Sequence, residues 1–352
     1  MQVEERIFGT FKGQDVPAIK LTNKNGVSIT AIPYGAHLIE WLAPDRDGKF
    51  ENITLGFDEL DPYYNHHPYY GATIGRMAGR IADGHFAIDG VDYQVEQNQQ
   101  GKNHLHGGTD AMDNKIWDYK VETDEDEARI IFSYVDEDGY NGYPGNLTVQ
   151  VTYTLTNKDE WKLSYRATTD KATVFNPTNH AYFNLHGDAS KNILDHSMFV
   201  DADKYVELDA AAIPTGHVLP VDETPFDFRK TAPIAQAIES DHQQTTLMKG
   251  LDHPFVLNHK NDEPDAVLLD SKTGRSLRVW TDQDVIVIFT HNSGKENLQI
   301  DGVPIEPYSG VTLETQGYPD AVHHDGFVNI LLHPEEEFKA DTTYQFVLNK
   351  DI

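Results

Sequence analysis

Residues 147–167 read Leu-Thr-Val-Gln-Val-Thr-Tyr-Thr-Leu-Thr-Asn-Lys-Asp-Glu-Trp-Lys-Leu-Ser-Tyr-Arg-Ala. Apolar side chains fall on Leu147, Val149, Val151, Tyr153 and Leu155, with Thr148, Gln150, Thr152 and Thr154 between them. Successive side chains of a strand point to opposite faces, so this period of two predicts a long half-buried strand. Residues 157–160 supply a turn, after which Trp161, Leu163, Tyr165 and Ala167 resume the alternation. The two runs therefore form a hairpin.

The same pattern recurs along the chain. Asn25-Gly26 joins Ala18–Leu21 to Val27–Ile32, and Asp89-Gly90 joins Phe86–Ile88 to Val91–Val95. Asp-Gly and Asn-Gly suit the left-handed dihedrals of a two-residue type I′ turn. Lys272-Thr273-Gly274 separates Ala266–Leu269 from Leu277–Thr281. Val285–Phe289 is a continuous apolar run that suits a strand buried on both faces, and Tyr344–Leu348 gives a last strand. Helical patterning is confined to Phe57–Tyr64 and Ala232–Ile238. Many short strands, antiparallel turns and little helix predict an all-β chain built as a large antiparallel β-sandwich. There is no repeat and no Pro/Gly/Ser-rich linker, so residues 1–352 read as a single domain.

Composition narrows the partners. The chain carries 28 Lys and Arg against 57 Asp and Glu, a formal charge of −29. Such a surface repels phosphate backbones and anionic lipid, which argues against nucleic acid as a partner. With no cysteine, disulfides, thiolate metal sites and a cysteine nucleophile are excluded. The charged start, Met1-Gln-Val-Glu-Glu-Arg6, shows no signal peptide, and no apolar run reaches the roughly 20 residues of a membrane helix. A cytoplasmic protein with no membrane partner is the expectation.

Histidines and carboxylates concentrate in four places. In Asn103-His-Leu-His-Gly-Gly108, His104 and His106 would share one face of a strand and could ligate one metal; a satisfied core histidine is the alternative. The two glycines after His106 suggest close backbone approach to a ligand. In Asn176-Pro-Thr-Asn-His180-Ala-Tyr-Phe-Asn-Leu185, a polar pair sits beside aromatic surface. Sugars need that combination of fixed donors and an apolar face, although a histidine among aromatics can equally be a core residue. Asp252-His253 is the third place. In Val311-Thr-Leu-Glu314-Thr-Gln316, alternation puts Thr312, Glu314 and Gln316 on one face, either a functional face or a solvated edge. Arg76 and Arg80, in Gly75-Arg-Met-Ala-Gly-Arg-Ile81, lack the surrounding residues of a P-loop or a dinucleotide fingerprint.

Taken in order, these segments resemble the aldose 1-epimerase (galactose mutarotase) family. The strings that carry the resemblance are Gly75–Ile81, Asn103–Gly108, Asp138–Leu155 with Gly142-Tyr-Pro-Gly-Asn-Leu-Thr148, Asn176–Leu185, Ile213-Pro-Thr-Gly216, Thr224-Pro-Phe-Asp-Phe-Arg229, Asp252-His253 and Glu314-Thr-Gln-Gly-Tyr-Pro-Asp-Ala321. The resemblance implies a supersandwich fold of the galactose mutarotase-like type. It also implies interconversion of the α and β anomers of a free hexose, galactose or glucose, with no cofactor and no metal. Glu314 would be the general base, His180 the general acid and His106 a second active-site histidine. Asp252 would grip sugar hydroxyls, and Arg80 would bind near the ring.

The chain departs from the family pattern at Gly79 (often Asn), Met112 (often Phe), Pro254 (often Asn), His217 (often Glu) and His323-His-Asp-Gly-Phe327, in place of a Pro-containing stretch. Each is expected to bear on which sugar fits. Other readings are a maltose or other disaccharide epimerase, a hexose-6-phosphate epimerase using Arg76, Arg80 and Lys102, and a non-catalytic sugar-binding protein. Retention of both Glu314 and His180 argues against the last. The chain does not reveal its oligomeric state or pathway.

Overall fold

The computed structural model describes residues 1–66, 68–260 and 262–349. All strand pairs named below are antiparallel. Leu147–Thr156 and Glu160–Thr169 form the expected hairpin, with Tyr153 opposite Leu163 and Leu155 opposite Trp161. Its odd-numbered apolar residues are buried, while Thr148 and Gln150 are exposed. This hairpin sits inside a nine-stranded sheet, flanked by Glu127–Asp136 on one side and the last strand, Phe338–Leu348, on the other.

Two five-stranded sheets complete the β-sandwich. One runs in chain order from Gln2–Phe11 to Phe50–Asn52. The other has the order Pro214–Pro220, Ala202–Leu208, Asp252–Leu257, Val285–Phe289, Glu314–Gln316. One continuous core joins the inner face of the large sheet to both smaller ones. At its centre Trp161 stacks on Tyr344, with ring centroids 4.9 Å apart, and meets Trp41 edge-on at 5.8 Å. Such aromatic pairs bury large areas and add specific geometry to them.

The short-range turn chemistry behaves as the residues dictate. Asp89 and Gly90 both take positive φ, 52° and 79°, between the strands His85–Ile88 and Val91–Gln94. Asn25-Gly26 and Lys272-Thr273-Gly274 also join paired strands.

Two local readings need correction, and one helix went unread. The helix expected over 232–238 is confined to Ala235–Ile238, because Ala232–Pro233 pairs with Ser197–Met198 as a short strand. The helix expected over 57–64 spans Asp61–Asn65 and starts with Pro62 in its first turn, where a missing N–H costs nothing. A helix at Gln243–Met248, capped by His242 Nδ1 accepting from the Gln244 N–H, had no clear apolar period to announce it. Among the described residues, no helix is long and apolar enough to cross a membrane.

Candidate active site

The floor of the site follows from strand register. Asp252 lies opposite Phe289, Pro254 opposite Val287, Val287 opposite Glu314, and Val285 opposite Gln316. Because alternate residues share a face, Asp252, Pro254, Val287, Phe289, Glu314 and Gln316 project to one side. Their neighbours Phe255, Ile286 and Ile288 enter the core. The six projecting side chains line an open cavity, whose space including its mouth and the solvent there is about 880 Å³.

The segment 311–316 is not one strand. Val311–Thr312 pairs with Tyr182–Phe183, and Glu314–Gln316 pairs with Val285–Val287. Glu314 still shares a face with Thr312, whose hydroxyl donates to Glu314 Oε1 at 2.9 Å. The solvated-edge alternative fails: Glu314 is 3% exposed. The covering comes from the 176–183 segment, where Thr178 donates to the Thr315 carbonyl.

His180 stands between Thr178–Asn179, paired with Thr73–Ile74, and Tyr182–Phe183. Asn179 turns inward, its amide donating to the Gly71 carbonyl and the Tyr153 hydroxyl at 2.9 and 2.8 Å. His180 is thereby directed to the cavity, with Nε2 3.5 Å from Glu314 Oε1. Tyr69 and His106 pack against its ring at centroid distances of 5.9 and 5.2 Å.

The opposite wall is a ribbon. Arg80–Ile81 pairs with His104–Leu105, and Arg80 Nη2 reaches Asp252 Oδ2 at 3.4 Å. His106 follows in a left-handed conformation (φ 50°), its Nδ1 accepting from the Gly79 N–H at 3.2 Å. The glycines behind it serve the protein rather than a ligand. A Cβ on Gly107 would lie 2.0 Å from the Gly75 carbonyl oxygen.

Electrostatically the cavity is a confined set of opposing charges. Burial pushes the Glu314 carboxyl up to about 8; the Thr312 hydroxyl opposes this, Asp252 adds to it, and Arg80 opposes it. Burial also raises Asp252, against the pull of Arg80.

The structure therefore brings Arg80, His106, His180, Asp252 and Glu314 to one cavity. Gln316 joins them as the alternation predicted. Its Oε1 is buried and has no hydrogen-bond donor among the described residues. Sequence reasoning missed Tyr69, Phe289 and His291 in the lining. The Tyr69-Tyr70 pair ahead of Gly71 was the available signal for the first.

Other candidates separate from the cavity. His104 is a core histidine, with Nδ1 at 2.6 Å from the Glu96 carbonyl and Nε2 at 2.5 Å from the Tyr143 hydroxyl; burial lowers its pKa to about 4. It does not share a face with His106, because the strand ends at Leu105.

Arg76 is buried, bonded to Asp136 at 2.6 Å and to the Pro144 and Gly145 carbonyls. Lys102 is exposed beside Asp83. The basic cluster a sugar phosphate would need is therefore not assembled.

His186, Asp195 and His196 have potential ligand atoms within 4.8 Å of one another. However, the Leu185 N–H donates to His196 Nε2, which leaves the proton of a neutral His196 on Nδ1, facing Asp195. His186 lies between Asp195 and Asp270 at 2.9 and 3.1 Å. The group is a hydrogen-bonded ion network.

Of the departures from the family pattern, Gly79 and Pro254 line the cavity. Met112 is packed in the core, and His217 is exposed beside Glu207.

The family profile described as Aldose 1-epimerase matches residues 17–345. The chain is 38% identical over 320 residues to the human protein named galactose mutarotase, covering 90% of each chain. It is 32% identical over 348 residues to the protein named maltose epimerase from Levilactobacillus brevis, covering 98% of this chain and 99% of that one. The crystal structure titled galactose 1-epimerase, from Lactobacillus acidophilus NCFM, superposes with a TM-score of 0.89 at 33% identity over 99% of both chains. The chain belongs to the aldose 1-epimerase family. With that membership comes its enzyme class, an isomerase acting at the anomeric carbon of an aldose.

Proposed function

We propose that this chain interconverts the anomers of free galactose or glucose, with Glu314 as general base and His180 as general acid. The observation that carries the reading is the 3.5 Å approach of these two buried groups inside a cavity that Arg80, His106 and Asp252 also line. Anomer exchange removes the proton from the C1 hydroxyl and delivers one to the ring oxygen. The ring opens to the aldehyde, the C1–C2 bond rotates, and attack on the other carbonyl face closes the ring. Glu314 takes the hydroxyl proton and His180 supplies the other; closure returns each proton to its source.

The catalytic form, carboxylate plus imidazolium, holds one proton across the pair. Burial raises the Glu314 carboxyl to about 8, so the carboxyl holds its proton readily before sugar binds. A base whose pKa lies near the working pH is also well matched to this transfer.

His106 steadies an oxygen of the sugar as charge develops. Arg80 and Asp252 hold hydroxyls, and Gln316 Oε1 accepts from another. Tyr69 and Phe289 offer faces to C–H bonds. The reaction is redox-neutral and transfers no group, so its chemistry calls for no cofactor. Residues 1–352 act as one catalytic domain in the cytoplasm, with a small-molecule sugar as partner and without nucleic acid or membrane.

Polarimetry of freshly dissolved α-D-galactose and α-D-glucose tests this. Catalytic protein should hasten the approach to the equilibrium rotation. No acceleration with either sugar, despite binding, would instead mean a sugar-binding protein.

A second substrate is supported by the similarity to the maltose epimerase and by the apolar stretch of cavity lining at Leu208, Ala212 and Pro214, against which a second ring could rest. A kcat/KM for maltose above that for both hexoses would select it.

A further inference from the structure

Three walls of the cavity meet at a residue that does not line it. Asp320 follows Pro319 on the segment carrying Glu314 and Gln316, and it is buried in a left-handed conformation (φ 55°, ψ 20°). Its N–H donates to the Arg80 carbonyl at 3.1 Å, and its Oδ1 accepts from the Ala82 N–H at 2.9 Å. Asp320 thus grips the ribbon on both sides of Ile81, while His104–Leu105 pairs with the same ribbon. Beyond Arg80, the ribbon is locked to His106 by the His106 N–H donating to the Gly79 carbonyl at 3.0 Å.

The same carboxylate reaches the third wall. His323 Nδ1 lies 2.6 Å from Asp320 Oδ1, and His324 Nε2 lies 3.3 Å from Oδ2. His324 Nε2 is also 3.1 Å from the carbonyl of Pro214, which lines the cavity. The strand Pro214–Pro220 lies flush on this imidazole, since a Cβ on Gly216 would stand 2.8 Å from His324 Nδ1. His323 and His324 belong to the stretch in which this chain departs from the family pattern.

We propose that Asp320 is a positioning residue for sugar binding, setting the place of Arg80 relative to Asp252 and Glu314 and, through His324, the place of Pro214. The inference rests on the assignment of Arg80 to the sugar. Its physical basis is the narrow tolerance of the site. Arg80 and Asp252 approach to 3.4 Å, and binding groups must be held within about 0.5 Å of productive geometry. The guanidinium is not anchored by its own strand alone, because Arg80–Ile81 is two residues long, and His106 lies just beyond the equally short His104–Leu105. The hydrogen bonds from Asp320 to the ribbon's backbone supply the missing restraint.

The test compares D320A, D320N, R80A, H324L and the D320A/R80A double variant. Each is assayed by polarimetry on whichever of α-D-galactose and α-D-glucose the wild type turns over faster, with near-UV circular dichroism to confirm folding. D320A should raise KM roughly tenfold or more, with a smaller change in kcat, the scale expected when a binding group is displaced by a fraction of an ångström. D320N keeps an acceptor for the Ala82 N–H and should recover part of this, leaving a rise of about threefold. H324L should raise KM severalfold. In the R80A background, the D320A change should add less than about twofold, because the group being positioned is gone.

A folded D320A with KM within threefold of wild type overturns the proposal, as does a D320A effect that persists in full without Arg80. If D320A does not fold, unchanged KM in both D320N and H324L overturns it equally. An R80A variant with unchanged KM would refute the role of Arg80 itself, a distinguishable result.

Discussion

Replacing Glu314 by Gln should make the protein more stable and nearly inactive, and the stability gain should depend on pH in a defined way. The side chain is 3% exposed, and burial raises its carboxyl from an ordinary 4.5 to about 8. A group whose pKa is raised on folding stabilises the native state fully below its unfolded value and loses that contribution as pH rises through its folded value. The window is therefore pH 4.5 to about 8. At about 1.4 kcal/mol per pH unit, the full loss is at most about 5 kcal/mol. The Gln variant keeps the acceptor for the Thr312 hydroxyl but does not titrate. Urea unfolding of both proteins should show small differences near pH 4.5, then a widening advantage for E314Q that levels off above pH 8. Over the same range kcat should fall by roughly 10²–10⁴-fold, the usual worth of a general base. A stability difference that stays flat between pH 5 and 8.5 would refute the burial argument. Activity within threefold of wild type would refute the assignment of the base.

Three further outcomes are expected. H180N should lower kcat by roughly 10²–10⁴-fold with little change in KM, whereas H106N should disturb both, because an oxygen contact acts in ground and transition states alike. The reverse pattern in steady-state polarimetry would exchange the two roles. Exhaustive dialysis against EDTA should leave activity intact, and activity lost and then restored by zinc or manganese would show metal chemistry. R76M should cost roughly 3–5 kcal/mol in urea unfolding, because it leaves Asp136 buried without its ion pair; a cost below about 1 kcal/mol would show that the pair is not structural.

Local patterning determined much of this protein. The alternation at 147–167 specified which faces are buried, and Asp89-Gly90 specified a turn with two positive φ values, because side-chain period and turn sterics are properties of a few neighbouring residues. The motifs at Arg80, His106, His180, Asp252 and Glu314 were legible as candidates, and their resemblance to one family proposed a role for each. Their neighbours were less legible. His104 and His106 look alike in the chain, yet one is sealed in the core by Glu96 and Tyr143 while the other faces the cavity. The backbone turns left-handed at His106, and the apposition of Gly107 and Gly75 that accompanies the turn is a long-range contact. Arg76 and Arg80 divide in the same way. Whether Glu314 was a solvated edge or a buried carboxylate could not be read from Thr-Leu-Glu-Thr-Gln. The answer depends on the 176–183 segment that packs over that edge and on the sheet register that sets Asp252 on the same face. Periodicity assigns a side chain to a face, but only tertiary packing decides what covers that face, and therefore its dielectric and its pKa.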